Sequence, residues 1–258
     1  MLILLPPSEG KAAPSRGKAL DLASLSSPAL TDARSAVLDA LVALSAADVD
    51  AAAATLGLGA TQTDLAARNA TLRTAPTARA EAIYTGVLYD ALDLASLDAA
   101  ARRRLGRVAV TSSVFGIVRP ADRIPSYRLS GDVTLPGLGS VAGHWRTHLG
   151  PAVVEAVGTG LLVDLRSGTY AAFWRPSGPV AARTVTVRVL HEHQGRRKVV
   201  SHFNKATKGR IVRAVLADGG TPRTPGAFAT QLRDLGWDVE EGAAGARGTE
   251  LDVVVRDL

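Results

Sequence analysis

Residues 114–129, VFGIVRPADRIPSYRL, concentrate side chains that could bind an anion or react with a ligand. Pro120 restricts Arg119 to an extended backbone and Pro125 does the same for the residue before it, which predicts a semi-rigid loop. Gly116 follows an apolar run and predicts a turn that a side chain would obstruct. The polar side chains that this loop presents are Arg119, Asp122, Arg123, Tyr127 and Arg128.

Two interpretations of this loop are open from its residues. Arginines on a rigid frame suit bidentate recognition of an anion, and a tyrosine can stack on a ligand or donate a hydrogen bond to it. Alternatively, the arginines pair with local acids such as Asp122 and only stiffen the loop.

A second basic segment covers residues 183–213. It contains nine arginines and lysines, including Lys205, Lys208 and Arg210, against a single acid, Glu192. Such a concentration would neutralise several phosphates if the side chains share one face. The alternative is a solvated hairpin tip followed by an amphipathic helix, but the scarcity of acids favours an anion-binding surface.

Two glycines, Gly57 and Gly59, separate two predicted short helices in LGLGATQTDLAARNA. This pattern is typical of a helix-hairpin-helix, in which backbone N–H groups and a helix N-terminus hold a nucleic-acid phosphate. An ordinary helix–helix turn with a glycine cap explains the same residues. The basic complement nearby is thin.

The loop PPSEGK follows the first apolar segment of the chain. It could place the hydroxyl of Ser8 and the ammonium of Lys11 at the rim of a cleft. Its glycine spacing is not that of a phosphate-binding P-loop.

The histidines do not form a convincing metal motif. His144 and His148 are spaced to share a helical face, and His191 and His193 share a strand face, but neither pair has a carboxylate at a suitable spacing. The sequence therefore predicts no metal and no cofactor. Direct iron or haem handling by these residues or His202 is the least favoured alternative. The absence of cysteine excludes thiolate ligands and a cysteine nucleophile.

The elements that must position these residues are short and irregularly ordered. Apolar runs predict buried strands at residues 2–5, in RVAVTSSVF and in GLLVDLRS, and alternation predicts hairpins around Gln194-Gly195 and at the end of the chain. Helices are predicted over residues 28–45, 48–55 and 63–72, and over 205–217 with Asn204 as the N-cap. GHWRTHLGPAVVEAV predicts a helix interrupted or restarted at Gly150-Pro151.

This order predicts an α+β fold with a mixed β-sheet and irregularly interleaved helices. One domain covering residues 1–258 is expected, with a helical sub-region over roughly residues 28–105 inserted after the first strand.

Composition is that of a folded, basic protein. The chain has 258 residues, 47% of them hydrophobic, and a formal net charge of +6. A basic balance favours phosphate-bearing partners. The apolar start is too short for a signal peptide and no run is long enough to span a membrane, so we expect a cytoplasmic protein without a membrane partner. No obligate protein partner is evident.

Five segments together resemble the YaaA family of bacterial peroxide-stress proteins over nearly the full chain. They are MLILLPPSEGK, IYTGVLYDAL, VFGIVRPADRIPSYRL, LLVDLRSGTY and VSHFNKATKGRIVR. The resemblance implies a cytoplasmic protein with an unusual α+β fold, a positively charged cleft and a helix-hairpin-helix-like element. It also implies DNA binding, limitation of free iron and protection against oxidative stress.

Carried over by position, the resemblance gives a set of cleft candidates. They are Ser8, Lys11, Tyr84, Gly86, Arg119, Pro120, Asp122, Tyr127, Arg128, Lys205, Lys208 and Arg210. The chain departs from the family pattern at Ser130-Gly131 and at Arg166, Gly168 and Thr169, which places any shared acid–base chemistry in doubt.

The first functional hypothesis is a stress-response protein that binds DNA or another phosphate-rich ligand in a basic cleft and limits oxidative damage to DNA. Its predicted anion-binding residues are Lys11, Gly57, Gly59, Arg119, Arg128, Lys205, Lys208 and Arg210. The predicted cleft wall comprises Tyr84, Gly86, Gly116, Pro120 and Pro125.

The alternative hypothesis is an enzyme that acts on a nucleotide, a nucleobase or damaged DNA in the same cleft. Its candidate catalytic residues are Ser8, Lys11, Asp122 and Tyr127. A deep pocket favours this hypothesis and an open groove favours DNA binding.

Overall fold

The computed structural model describes residues 1–194 and 196–256, apart from the side chains at positions 201 and 202. Within these residues the chain forms twelve strands. They are β1 (Leu2–Leu5), β2 (Ala78–Arg79), β3 (Val108–Ser112), β4 (Gly116–Val118), β5 (Arg123–Ile124), β6 (Thr134–Leu135), β7 (Gly139–Ser140), β8 (Leu162–Asp164), β9 (Thr184–His193), β10 (Arg196–Lys198), β11 (Asp238–Gly245) and β12 (Gly248–Val255).

The same described residues form eleven α-helices. They are α1 (Thr31–Ala47), α2 (Val49–Thr55), α3 (Thr63–Asn69), α4 (Ala80–Ile83), α5 (Val87–Leu92), α6 (Ala99–Arg103), α7 (Val141–Val157), α8 (Gly168–Ala171), α9 (Gly178–Ala181), α10 (Ser201–Asp218) and α11 (Pro225–Asp234).

The main sheet has the order β11-β12-β9-β8-β1-β3-β4, and β10 pairs with β9. The five strands from β12 to β3 are parallel, whereas β11 and β4 run antiparallel at the edges. The sheet is therefore mixed, as the sequence predicts, and helices interleave with it in an α+β arrangement. Strand β1 lies between β3 and β8, so the chain changes direction across the sheet at β1. In open α/β sheets such a switch point is where ligands bind, outside the carboxyl ends of the strands.

The central strands β1 and β8 are buried on both faces. All four residues of β1 and all of β8 are buried. Buried hydrophobic side chains from Leu2 to Val253 form one continuous core. Burial on both faces explains why these strands appear as unbroken apolar runs rather than as alternating patterns.

Helix α7 corrects one prediction. It runs without interruption through Gly150 and Pro151, so the predicted break there is wrong. Trp145, Leu149 and Val153, spaced four residues apart, are all fully buried and hold both halves of the helix against the core. That packing outweighs the hydrogen bond that Pro151 cannot donate.

Helix α10 corrects a second prediction. It begins at Ser201 rather than at Lys205, and Asn204 lies in its first turn, where its backbone N–H donates to the carbonyl of Val200 at 2.9 Å. The N-cap assignment of Asn204 is therefore wrong. Both predicted hairpins are present, as β9–β10 and β11–β12, and the turn residue Gly195 lies outside the described residues.

The predicted helix pair around Gly57 and Gly59 is present as α2 and α3, joined by a loop that contains a short 3-10 turn (Ala60–Gln62). Each helix has seven residues. Within residues 1–194 and 196–256, no helix combines the length and the hydrophobicity that a membrane crossing requires.

Candidate functional site

The loop that follows β1 is held in place by its own hydroxyl and by the segment before α5. Ser8 Oγ donates to the carbonyl of Gly10 and accepts from the backbone N–H of Thr85 at 3.2 Å. The N–H of Ala12 donates to the carbonyl of Ile83 at 2.8 Å. The Ser8 hydroxyl therefore positions the loop, which leaves it poorly suited to act as a nucleophile.

A cavity of about 440 Å³ lies beside this loop, at the carboxyl ends of β1 and β8. It occupies the switch point of the sheet. Its lining residues are 6–10, 85–89, Ser130, Leu165, Ser167, Thr169, Tyr170, Asn204, Lys205 and Lys208. We call it the main cavity.

Two lysines of α10 line the main cavity. Lys205 and Lys208 are three residues apart and share one face of the helix. Lys208 Nζ donates to the carbonyl of Leu165 at 3.3 Å. Burial lowers the pKa of Lys208, and the nearby Asp164 carboxylate partly opposes that shift. Arg210 is exposed on the same helix and does not line this cavity.

Helix α10 lies close enough to α5 to present these lysines because residue 209 is glycine. A Cβ at Gly209 would lie 2.2 Å from the carbonyl oxygen of Leu88 and 3.0 Å from Cβ of Ala91. No side chain fits in that space. The local sequence, in which Gly209 separates Lys208 from Arg210, does not indicate this contact.

A buried ion pair fixes the loop after β8. Arg166 Nε donates to Asp164 Oδ1 at 2.8 Å and Arg166 Nη2 to Oδ2 at 2.6 Å. The same guanidinium donates to the carbonyls of Tyr170 and Trp174 at 3.2 and 2.9 Å. Arg166, which departs from the family pattern, therefore shapes the wall that Tyr170 contributes to the main cavity. This pair was not predicted from the sequence, although an Asp-x-Arg spacing at the end of a buried strand is a usable signal.

All four tyrosines of the chain gather beside the cavity and are buried. Tyr84 Oη lies 3.1 Å from Tyr127 Oη, which lies 2.8 Å from Ser112 Oγ. Tyr84 stacks on Tyr89 with ring centroids 5.4 Å apart, and Tyr89 donates to the carbonyl of Pro6 at 2.7 Å. Burial raises the pKa of each of these tyrosines. They are therefore neutral hydroxyls at physiological pH.

Lys11 lies against this tyrosine cluster. Its Nζ is 4.2 Å from the ring centroid of Tyr127 and 5.7 Å from that of Tyr84, and it donates to the carbonyl of Ser8 at 2.7 Å. The pKa of Lys11 is lowered to about 7, mainly by burial; the charge of Glu9 opposes this shift and that of Arg128 adds to it. A substantial fraction of neutral amine is therefore present at neutral pH.

The residues of the loop at 114–129 lie at two opposite ends of the sheet. Strand β4 runs antiparallel to β3, with Gly116 opposite Ser112 and Val118 opposite Val110. The chain thus leaves the carboxyl end of β3, turns at the opposite end and comes back. Tyr127 and Arg128, on the returning part, line a small cavity of about 170 Å³ together with Lys11.

Arg119 and Asp122 lie at the far end of the sheet, away from the main cavity. Arg119 Nη1 donates to the carbonyls of Gly106 and Val108 at 2.9 and 3.3 Å. Asp122 Oδ2 accepts from the N–H of Arg119 at 2.8 Å, and Asp122 Oδ1 accepts from the hydroxyl of Ser26 at 2.8 Å. The structure therefore does not bring these two residues to the other site candidates. They hold the turn through hydrogen bonds to the backbone and to Ser26, and not through the arginine–acid pairing that the second interpretation of this loop expects.

The predicted cleft-wall residues do not all lie at the main cavity either. Gly86 lines the main cavity and Tyr84 lies beneath it. Gly116 has φ +72° and packs on Trp145, where a Cβ would lie 2.7 Å from the indole ring. Pro125 is buried, and the buried Pro120 accepts a hydrogen bond from the N–H of Glu81 at the far end.

A second cavity, about 470 Å³, adjoins the main one. Gly57 of the helix pair and Arg128 line it, and Glu9 and Ser130 line both cavities. Arg128 is ion-paired with Glu9. Gly59 does not line this second cavity.

Three of the six arginines of the basic segment, Arg188, Arg197 and Arg213, form ion pairs. Arg188 makes a bidentate contact with Asp252 at 2.7 Å, and Arg197 bonds to Glu192 at 2.6 Å and to Glu240 at 2.8 Å. The acids other than Glu192, which are Glu240 and Asp252, come from β11 and β12, which are distant in sequence. They therefore could not be found by reading residues 183–213 alone.

The described residues contain no group of three or more His, Asp or Glu side chains that could hold a metal ion. His144 Nε2 lies 3.0 Å from the carbonyl of Ala33, and His148 Nδ1 lies 2.8 Å from the carbonyl of His144. His191 is buried against Phe203, whereas His193 is exposed. The side chain of His202 lies outside the described residues.

Comparison with known proteins gives a consistent result. Residues 1–237 match the family model described as peroxide stress protein YaaA. A UPF0246 protein of Streptomyces coelicolor is 56% identical over the full length of both chains. A UPF0246 protein of Corynebacterium efficiens is 42% identical over 93% of this chain and 95% of its own. This chain belongs to the YaaA peroxide stress protein family.

Proposed function

We propose that this protein acts in the cytoplasm, binds DNA or another phosphate-rich, nucleotide-like anion in the main cavity, and thereby limits oxidative damage to DNA. The observation that carries the proposal is the pair Lys205 and Lys208. Both ammonium groups line a cavity at the switch point of the sheet, and neither forms an ion pair within the described part of the chain. Lysines in such a position suit a phosphate ligand.

Two further observations support this proposal. Asn204 lines the same cavity, and its side-chain oxygen has no hydrogen-bond partner in the described residues, although it is buried. It can accept a hydrogen bond from a sugar or base. The second cavity links the main one to Gly57, so a strand held by the α2–α3 pair, acting as a helix-hairpin-helix, would pass Arg128 on its way to the lysines. The family name supports the connection with peroxide stress.

Fluorescence anisotropy with labelled duplex DNA and with a labelled nucleoside triphosphate tests the proposal. The double variant Lys205→Ala/Lys208→Ala should lower affinity for the better ligand by about 10- to 100-fold, since hydrogen bonds to charged groups contribute about 1.5–3 kcal/mol. The matched control is Arg196→Ala/Lys198→Ala, which also removes two charges, but from the exposed strand β10.

Affinity of the wild-type protein should fall as salt rises. The proposal fails if neither ligand binds at low salt, if binding is independent of salt, or if the control double variant loses as much affinity as the cavity double variant.

A second candidate function is an enzyme that acts on a nucleotide or on damaged DNA in the same region. Lys11 favours it, because a buried amine with a pKa of about 7 is of little use for simply coating a phosphate backbone. If this candidate is right, Lys11→Met abolishes turnover and leaves the far-UV circular dichroism spectrum unchanged.

A further inference from the structure

The small cavity beside the β1 loop places an amine next to two guanidinium groups. Lys11, Arg68 and Arg128 all line this space of about 170 Å³, and Tyr127 forms part of its wall. A volume of this size suits a single sugar better than a nucleobase with its sugar. Glu9 also lines the cavity and pairs with Arg128, and Arg68 pairs with Asp64, but both carboxylates are exposed and a ligand can replace them. The amine and the two guanidinium groups therefore indicate a small ligand that carries both an electrophile and a negative charge.

The Lys11 amine is free of acidic partners. In residues 1–194 and 196–256 its one hydrogen bond goes to the carbonyl of Ser8, and the acid nearest in sequence, Glu9, is ion-paired with Arg128 instead. The groups that face the amine are the neutral rings of Tyr84 and Tyr127 and the opposed charges of Glu9 and Arg128. Lys11 is half-buried as a residue and lines the small cavity, so the lone pair of its amine can reach a ligand there.

Arg128 is prepared to receive an anion. Its backbone is clamped by the buried side chain of Asn69: Asn69 Nδ2 donates to the carbonyl of Arg128 at 2.7 Å, and the N–H of Arg128 donates to Asn69 Oδ1 at 2.9 Å. The carboxylate that pairs with the guanidinium belongs to Glu9, whose side chain is 59% exposed. Exposed ion pairs are weak, so a phosphate can replace this carboxylate at little cost.

We propose that Lys11 is a nucleophile that forms an imine with the aldehyde of a phosphorylated sugar whose phosphate binds Arg128 and Arg68. The chemistry is the same whether the sugar is the open-chain deoxyribose of an abasic site in DNA or a free aldose phosphate. The inference rests on the proposed binding of a phosphate-rich ligand and assigns that ligand a reactive group.

The reaction balances without any oxidant or reductant. The lone pair of Lys11 Nζ attacks the aldehyde carbon, and the π electrons of the C=O bond move to oxygen. A proton passes from nitrogen to that oxygen and gives a carbinolamine. The C–O bond then breaks as a C=N bond forms, the second N–H proton leaves with the oxygen as water, and addition of water reverses the sequence. The neutral amine is the attacking form, so the rate should rise with pH through about 7.

Reductive trapping tests the proposal. The protein is incubated with sodium cyanoborohydride and one of three probes: an oligonucleotide with one abasic site, glyceraldehyde 3-phosphate, or unphosphorylated glyceraldehyde. Adducts are then mapped by peptide mass spectrometry over the five lysines of the chain. We expect a phosphorylated aldehyde to label Lys11 at least tenfold more than any other lysine and at least tenfold more than glyceraldehyde does. The probe that labels better identifies the source of the sugar.

Lys11→Met and Lys11→Arg should lose the adduct, whereas Lys18→Met, which changes an exposed lysine of the same loop region, should keep it. Uniform labelling of the lysines, equal labelling by glyceraldehyde, or an adduct that persists in Lys11→Met would overturn the proposal. Absence of any adduct in a protein that binds intact DNA would overturn it and leave the proposed function standing. An adduct in a protein with no affinity for intact DNA or nucleotide would support it and overturn the proposed function.

Discussion

Two basic regions of this protein differ in what their charges face. On the exposed surface of β9 and β10, Arg188 and Arg197 meet carboxylates of β9, β11 and β12. At the carboxyl ends of the central strands, Lys205 and Lys208 face a cavity. In the part of the chain that the structure describes, every ion pair involves an arginine and none a lysine. A count of basic residues therefore measures charge, whereas pairing decides which charges can bind a ligand.

The acids of the two regions also differ in burial. Asp164 is buried with Arg166 beside the main cavity, whereas Asp252 pairs with Arg188 on the surface. Loss of one partner of a buried pair leaves an unpaired charge in the interior. Loss of one partner of an exposed pair leaves a charge that water solvates.

The largest expected effect is that of Asp164→Ala. It should lower the free energy of unfolding by about 3–5 kcal/mol, because the Arg166 guanidinium then remains buried without its counter-charge. The matched variant Asp252→Ala should cost no more than about 1 kcal/mol. Urea denaturation of both variants measures the difference, and equal losses would mean that burial does not distinguish the two regions.

The next effect concerns the approach of α10 to α5. Gly209→Ala should destabilise the protein by about 1–3 kcal/mol, because the new methyl group would overlap the carbonyl of Leu88. It should also weaken anion binding, since relief of the overlap moves Lys205 and Lys208. Gly106→Ala is the control, because no atom lies within 4 Å of a Cβ at that position. A Gly209→Ala protein with unchanged stability and unchanged affinity would show that this packing does not position the lysines.

The third effect is a pH dependence of stability at Lys11. Its pKa is about 7 in the folded protein against an ordinary value of 10.5, so the unfolded chain binds more protons between these two values. Stability contributed by this group should therefore rise as pH increases from about 7 to about 10, by at most about 1.4 kcal/mol per pH unit. Lys11→Met should remove that rise. Urea titrations of both proteins across this range check it, and parallel pH profiles for the two would contradict the expected pKa.

The sequence predicted the parts of the fold that local pattern controls. Strands β1, β3 and β8 are apolar runs bounded by turn residues, and α1 shows a clear helical period. The concentration of basic residues and the family resemblance also singled out Lys205 and Lys208, which line the main cavity.

The remaining features depend on contacts between residues far apart in the chain. Arg119 was expected in the cleft, but the antiparallel return of β4 carries it to the opposite end of the sheet, and an alternating pattern does not give strand direction. The role of Gly209 depends on a carbonyl of α5, and the pairing of Arg188 depends on β12. No local signal in the chain reports any of these three contacts.

The smallest expected effects concern single polar contacts, one in each of the two regions. Tyr127→Phe should cost about 0.5–1.5 kcal/mol, because its hydroxyl lies between those of Tyr84 and Ser112 in the interior. Ser112→Ala removes the partner of Tyr127 in the Tyr127–Ser112 contact. The double variant should therefore lower the free energy of unfolding by less than the sum of the two single losses. At the exposed surface, a double-mutant cycle of Arg197→Ala and Glu240→Ala should give a coupling free energy of no more than about 1 kcal/mol. Salt should weaken this coupling. The coupling of the buried hydroxyls should not change with salt, since neither group carries a charge. If both couplings fall equally in high salt, the tyrosine cluster is open to water, and its description as neutral and buried is wrong.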